Sequence, residues 1–146
     1  MAYELFLHIS GDGPVDPMTR LVADVARGLP AGTDTKSLRF PPPVYLTDEE
    51  GEEPVRCRVC GDEYRERFLL PIALHTSGDS NGPILTACRL SCELLARVGG
   101  HGDLATQNGE LIAAFCHGGF YACTSFSLAE RIVKAVPVRG YVEGVE

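Results

Sequence analysis

The sequence predicts an α+β domain in which helices pack on one face of a four-stranded antiparallel sheet. Three observations carry this prediction. A nine-residue stretch is repeated, each copy runs into a helix opened by proline, and each helix leads toward a further strand. Leu5-Phe6-Leu7-His8-Ile9-Ser10-Gly11-Asp12-Gly13 aligns without gaps on Ile72-Ala73-Leu74-His75-Thr76-Ser77-Gly78-Asp79-Ser80, with five of nine pairs identical. Two β-α-β units in tandem, about 3–46 and 67–115, are the arrangement of a ferredoxin-like sandwich. At 146 residues the chain has the length of one domain, 1–146.

In the first unit, alternation places Leu5, Leu7 and Ile9 on one face of the opening strand. Asp16 is expected to cap a helix near 17–27, with Pro17 at its first position, where a missing N–H loses no bond. Met18, Leu21, Val22 and Val25 follow at helical spacing, and Gly28 ends the run. A strand is expected over Lys36–Phe40, closed by Pro41-Pro42-Pro43, with Val44-Tyr45-Leu46 beyond it. In the second unit Ile72, Leu74 and Thr76 match the first strand. Asn81 or Gly82 precedes Pro83, which opens a helix over 83–98 whose buried face carries Cys88, Leu94 and Leu95. Gly99-Gly100 stop it. The stretch from Asp103 to Phe115 is a strand pattern broken by Asn108-Gly109, a pair that tolerates positive φ and so marks a hairpin turn.

Between the units lies an insertion, about 47–66, of another kind. Asp48, Glu49, Glu50, Glu52 and Glu53 form an acidic loop, either a solvated surface or a docking surface for a basic partner. Cys57-Arg58-Val59-Cys60-Gly61 follows. After the second unit, Ser127-Leu128-Ala129-Glu130 reads as a capping box for a helix over 127–136, ended by Pro137. Residues 138–146 are expected to form an edge strand or a loose tail.

The net charge of −7 comes from 20 acidic and 13 basic residues. With no Lys/Arg-rich stripe to offset it, this disfavours nucleic acid and anionic membrane surfaces as partners. The opening residues lack a basic n-region and a long apolar run, and nothing approaches the length of a membrane-spanning helix. The expected compartment is the cytoplasm, and there six cysteines are reduced thiols or metal ligands rather than disulfides.

The C-x-x-C-G motif puts two thiolates on one turn, with glycine letting backbone N–H groups approach the sulfurs, as a zinc knuckle requires. Four ligands are needed, so Cys57 and Cys60 must be completed by Cys88 and Cys92, by Cys116 and His117, or by Cys123. The other readings are a redox pair or a loop of reduced cysteines. His101-Gly102 and His117-Gly118-Gly119 are either metal or substrate loops, or plain turns. His8-Ile9-Ser10 and His75-Thr76-Ser77 form two H-x-S motifs. They resemble the paired motifs of two-histidine phosphoesterases, which implies His8 and His75 as general acid and base and Ser10 and Ser77 as phosphate ligands. The structural reading is that Ser-Gly-Asp makes the strand-to-helix turn. Antiparallel pairing of the two strands would place the motifs at opposite ends of the sheet. No Walker loop, dinucleotide fingerprint, nucleophile elbow or H-E-x-x-H is present.

The opening Met1–Leu7 strand and the stretch Leu94-Leu95-Ala96-Arg97-Val98-Gly99-Gly100 running to Asp103–Leu111 resemble the small acidic immunity proteins encoded beside bacterial polymorphic toxins. Some of those proteins also carry C-x-x-C-G. The resemblance implies a stoichiometric binder that blocks a cognate toxin without catalysis. The alternatives are a phosphodiesterase built on the H-x-S pair and a zinc-stabilised adaptor.

Overall fold

The computed structural model describes residues 2–10, 15–29, 38–46, 54–75 and 81–143. These residues form a mixed α+β structure with three helices and an eight-stranded sheet. The strands are β1 (Ala2–Ile9), β2 (Leu38–Arg39), β3 (Val44–Tyr45), β4 (Val55–Arg56), β5 (Glu63–Tyr64), β6 (Phe68–His75), β7 (Gly102–Thr106), β8 (Leu111–Cys116), β9 (Gly119–Cys123) and β10 (Gly140–Val142). The helices are α1 (Val15–Arg27), α2 (Asn81–Val98) and α3 (Ala129–Ala135).

The main sheet runs β10-β9-β8-β7-β1-β6-β2, with β3 also on β6. The sequence suggested four strands, and the sheet reaches eight because the 103–115 stretch splits at Asn108-Gly109 into β7 and β8, β9 and β10 continue it beyond them, and β3 adds a second short strand on β6. The repeated strands, β1 and β6, are antiparallel neighbours over their whole length. Their alternation is as expected: Leu5, Leu7, Ile9, Ile72 and Leu74 are all buried in one core cluster. Thr76, the last residue of that face, lies outside the described residues. On the other edge of β6, β2 meets Ala73 and Leu74 while β3 meets Phe68 and Leu69. The gap between them falls at Pro71, which has no N–H to offer an edge partner.

The helices close the core. Met18, Val22 and Val25 of α1 and Leu90, Leu94 and Leu95 of α2 are buried in the same cluster as the strand residues. Leu21 is only partly buried, so the inner stripe of α1 runs through Met18, Val22 and Val25 instead. Both helices begin two residues earlier than their prolines suggested. At the end of α2, Gly99 takes φ 75° and donates its N–H to the Leu95 carbonyl at 2.7 Å, a left-handed helix cap. Helix α3 is shorter than expected. Its N-cap is Leu128 with no side-chain bond, so the Ser127–Glu130 capping box does not form. The C-terminal residues supply an edge strand, β10, parallel to β9.

Three turns position the site. Asn108-Gly109 makes the β7–β8 hairpin as expected. Gly109 is at φ 84°, and the Thr106 hydroxyl accepts the N–H groups of Asn108 and Glu110 at 3.3 and 3.1 Å. His117 (φ 48°) and Gly118 (φ 79°) form a two-residue turn with both central residues left-handed, joining β8 to β9. The Cys57–Gly61 segment turns between β4 and β5, which pair only with each other. No helix of the described residues is long and apolar enough to cross a membrane.

Candidate metal centre

The β4–β5 hairpin has the backbone of a metal knuckle. The Cys57 N–H donates to the Asp62 carbonyl at 2.7 Å, and the Gly61 N–H to the Cys57 carbonyl at 3.0 Å. Gly61 sits at φ 81°, a conformation that an L side chain rarely adopts. This folds the chain so that the Val59 N–H points at the Cys57 sulfur, 3.4 Å away. Cys57 is buried and Cys60 exposed.

The hairpin packs its cysteines against two other elements. Cys116, the last residue of β8, is buried beside the His117-Gly118 turn. His101 lies between the glycine stop of α2 and the start of β7. Two bonds hold its backbone to the end of β1: the His101 N–H donates to the Ser10 hydroxyl at 2.9 Å, and the Ser10 N–H to the His101 carbonyl at 2.8 Å. The imidazole stacks on Tyr64 with centroids 5.2 Å apart and meets the His117 ring edge-on at 4.7 Å.

Cys57, Cys60, His101 and Cys116 each bring a ligand atom into a group whose members all lie within 4.8 Å of one another. A tetrahedral zinc ion with Zn–S near 2.3 Å and Zn–N near 2.0–2.1 Å sets its donors roughly 3.5–3.8 Å apart, so the cluster is of the size to hold such an ion. One observation bears on the fit. His101 Nδ1 is buried with no hydrogen-bond partner, and a buried polar atom without a partner is expensive unless something ligates it.

The electrostatics point the same way. Burial pushes the Cys57 thiol up, but the N–H groups of Cys60 and Val59 and the neighbouring thiols outweigh it and bring the group below its usual range. Cys116 is pushed up to about 12, first by burial and then by the Cys60 and Cys57 sulfurs. Burial, and then the nearby His117, lower the His101 pKa and favour the neutral, ligating imidazole. Three thiols this close cannot all carry charge without a cation among them, and a bound metal would supply it.

The sequence had paired Cys57 and Cys60, and of the proposed completions the structure brings Cys116 to them. His101, suspected only as a loop histidine, supplies the fourth ligand atom. Cys88, Cys92 and Cys123 do not join the cluster. Cys88 is wholly buried in the core, the Cys92 sulfur lies 4.0 Å from the Pro137 carbonyl, and the Cys123 sulfur lies 3.2 Å from the Ser125 hydroxyl. His117 belongs to an adjoining group with Cys60, Asp62 and His101. The glycines flanking His101 and the Cys116-His117-Gly118 stretch, where Cys116 ends β8 one residue before the left-handed turn, were the available signal.

The H-x-S histidines are separated. His8 pairs with Leu69 and His75 with Ala2, six rungs apart on one antiparallel ladder, or about 20 Å at ~3.4 Å per residue. Ser10 is engaged with His101. Ser77 and the acidic run of Asp48, Glu49, Glu50, Glu52 and Glu53 lie outside the described residues. Comparison of the chain with protein-family models, with curated proteins and with solved structures gives no match.

Proposed function

We propose that this protein is a zinc-stabilised binding module with no catalytic role at its metal. The observation that carries this reading is the Cys57–Cys60–His101–Cys116 cluster, in which the protein offers all four donors of a tetrahedral ion. Catalytic zinc sites keep one position for water, whereas structural sites close all four with Cys and His. Here the ion staples a hairpin of two-residue strands, with little core of its own, to the α2–β7 junction and the end of β8. The strand order β7-β1-β6-β2, with α1 following β1 and α2 following β6, supports reading the centre of the sheet as a duplicated β-α-β core of ferredoxin-like type.

The partner class follows from charge. A chain of net charge −7 with five carboxylates within 48–53 suits a basic protein. In its narrowest form the proposal is stoichiometric neutralisation of a toxin in the cytoplasm, as the immunity resemblance implies. The six-rung separation of His8 and His75 weighs against the two-histidine phosphodiesterase.

The test is elemental analysis of protein purified without chelator, with cobalt substitution to reveal thiolate ligation. One zinc per chain is expected, lost in Cys57→Ser and Cys116→Ser and retained in Cys88→Ser. Metal-free wild-type protein with freely titratable Cys57 and Cys60 thiols would refute the reading.

A further inference from the structure

His8 is the residue that the first H-x-S motif singles out and that the cysteine cluster does not use. Strand alternation turns Leu7 and Ile9 into the core, which puts His8 on the opposite face of β1. Its cross-strand partner on β7 is Asp103, and side chains directly opposite on one face stand close together. His8 Nδ1 lies 3.2 Å from Asp103 Oδ1. A third donor arrives from the segment leaving the knuckle hairpin: the Arg67 N–H donates to the Ile9 carbonyl at 2.9 Å, which fixes the neighbouring Glu66 at the end of β1. The ligand atoms of His8, Glu66 and Asp103 all lie within 4.8 Å of one another.

The geometry points to a second cation site here, with one imidazole and two carboxylates as ligands and a side open to solvent. Metal bonds of about 2.1 Å at tetrahedral or octahedral angles set donors roughly 3.0–3.4 Å apart, and the observed 3.2 Å falls in that range. All three residues are half-buried, unlike the solvated carboxylates that cluster on many surfaces. A divalent cation ligated here would be held by two carboxylate charges as well as by the imidazole. Beside His8 and Asp103 opens a cavity of about 450 Å³, lined also by Arg58, Glu110 and Ser125 among others. It leaves room for the water or ligand oxygen that a three-ligand site keeps. The donor set differs from that of the cysteine cluster. Carboxylate and imidazole suit Mn²⁺ or Zn²⁺, while thiolates select Zn²⁺ and disfavour Mn²⁺.

That difference supplies the test, which does not depend on the cysteine site being filled. Mn²⁺ is titrated into the purified full chain after exposure to zinc and removal of excess metal, and bound Mn²⁺ is read as loss of the free-ion paramagnetic resonance signal. One Mn²⁺ per chain is expected. Glu66→Gln and Asp103→Asn should each weaken binding by at least about tenfold, the smallest loss that even supporting residues of a metal site bring. The zinc content and circular dichroism of both variants should stay those of wild type. Glu66→Gln leaves the His8–Asp103 contact in place, so it separates loss of a ligand from loss of a fold-supporting ion pair. Absence of Mn²⁺ binding by wild-type protein, or binding that survives in the Glu66→Gln/Asp103→Asn double variant, overturns the proposal. A chain that takes up Mn²⁺ at these residues yet holds no zinc would leave this site standing and remove the structural-zinc reading instead.

Discussion

Replacing Gly102 by Ala probes the junction on which both candidate sites depend. Gly102 sits opposite Ile9 at the end of the β1–β7 ladder, between His101 and Asp103. A Cβ there would collide with the backbone oxygen of His8 and come within 3.1 Å of the Ile9 Cα and Cγ2 atoms. Both are backbone or β-branched neighbours in a packed sheet, so no flexible side-chain end can swing aside. The strands must separate at this rung. Overpacking of this sort costs about 1–3 kcal/mol, and losing one of the two Ser10–His101 hydrogen bonds adds about 1, giving about 2–4 kcal/mol in all. Gly82→Ala is the control. It lies in the first turn of α2 with nothing within 4 Å of its Cβ, so the helix preference for alanine should leave stability unchanged or raised by up to about 1 kcal/mol. Urea unfolding with zinc in excess reads both variants on one scale. A Gly102→Ala protein within about 0.5 kcal/mol of wild type would show that β1 and β7 do not approach as closely as described.

The remaining expectations are simpler. Leu7→Ala and Leu74→Ala each empty a fully buried position on the paired strands and should cost about 2–5 kcal/mol by the same assay; a loss under about 1 would mean the wrong face was assigned. Charge reversal across Asp48, Glu49, Glu50, Glu52 and Glu53 should weaken association with a basic partner and flatten its salt dependence, measured by calorimetry at two ionic strengths. Unchanged affinity would take that loop out of the interface.

What could be read from the sequence was what is local. The β1 and β6 strands announce themselves by period-two alternation, α1 and α2 by apolar spacing and proline starts, and the β7–β8 turn by Asn108-Gly109. The eight-stranded sheet was hidden for a physical reason. The β8 strand was read from the Asn108-Gly109 hairpin, but four of the five residues of β9 beside it are buried, so the alternation that would mark β9 disappears. The turn between them uses His117 at positive φ, where glycine or asparagine is the usual signal. The capping box failed because a four-letter pattern states only that a bond is available, and the chain around Leu128 does not make it. The metal cluster was half legible. Cys57 and Cys60 share one turn, whereas His101 and Cys116 reach them only through the β1–β7–β8 register, a relation between distant segments that no window of sequence contains.

The lengths of the outermost strands bear on how a partner can be met. One side of the main sheet ends in β10, three residues long, and the other in β2 and β3, two residues each, separated by Pro41-Pro42-Pro43. An extended peptide that docks by continuing a sheet needs a run of free N–H and C=O groups along an edge. Among the described residues it would find two or three rungs on either side, and between β2 and β3 a triplet that carries no N–H at all. Such blunt margins guard a wide sheet against sticking to copies of itself. For the partner proposed above they would confine recognition to side chains, so its specificity should follow substitutions on the surface and be indifferent to changes in backbone hydrogen bonding at the edges.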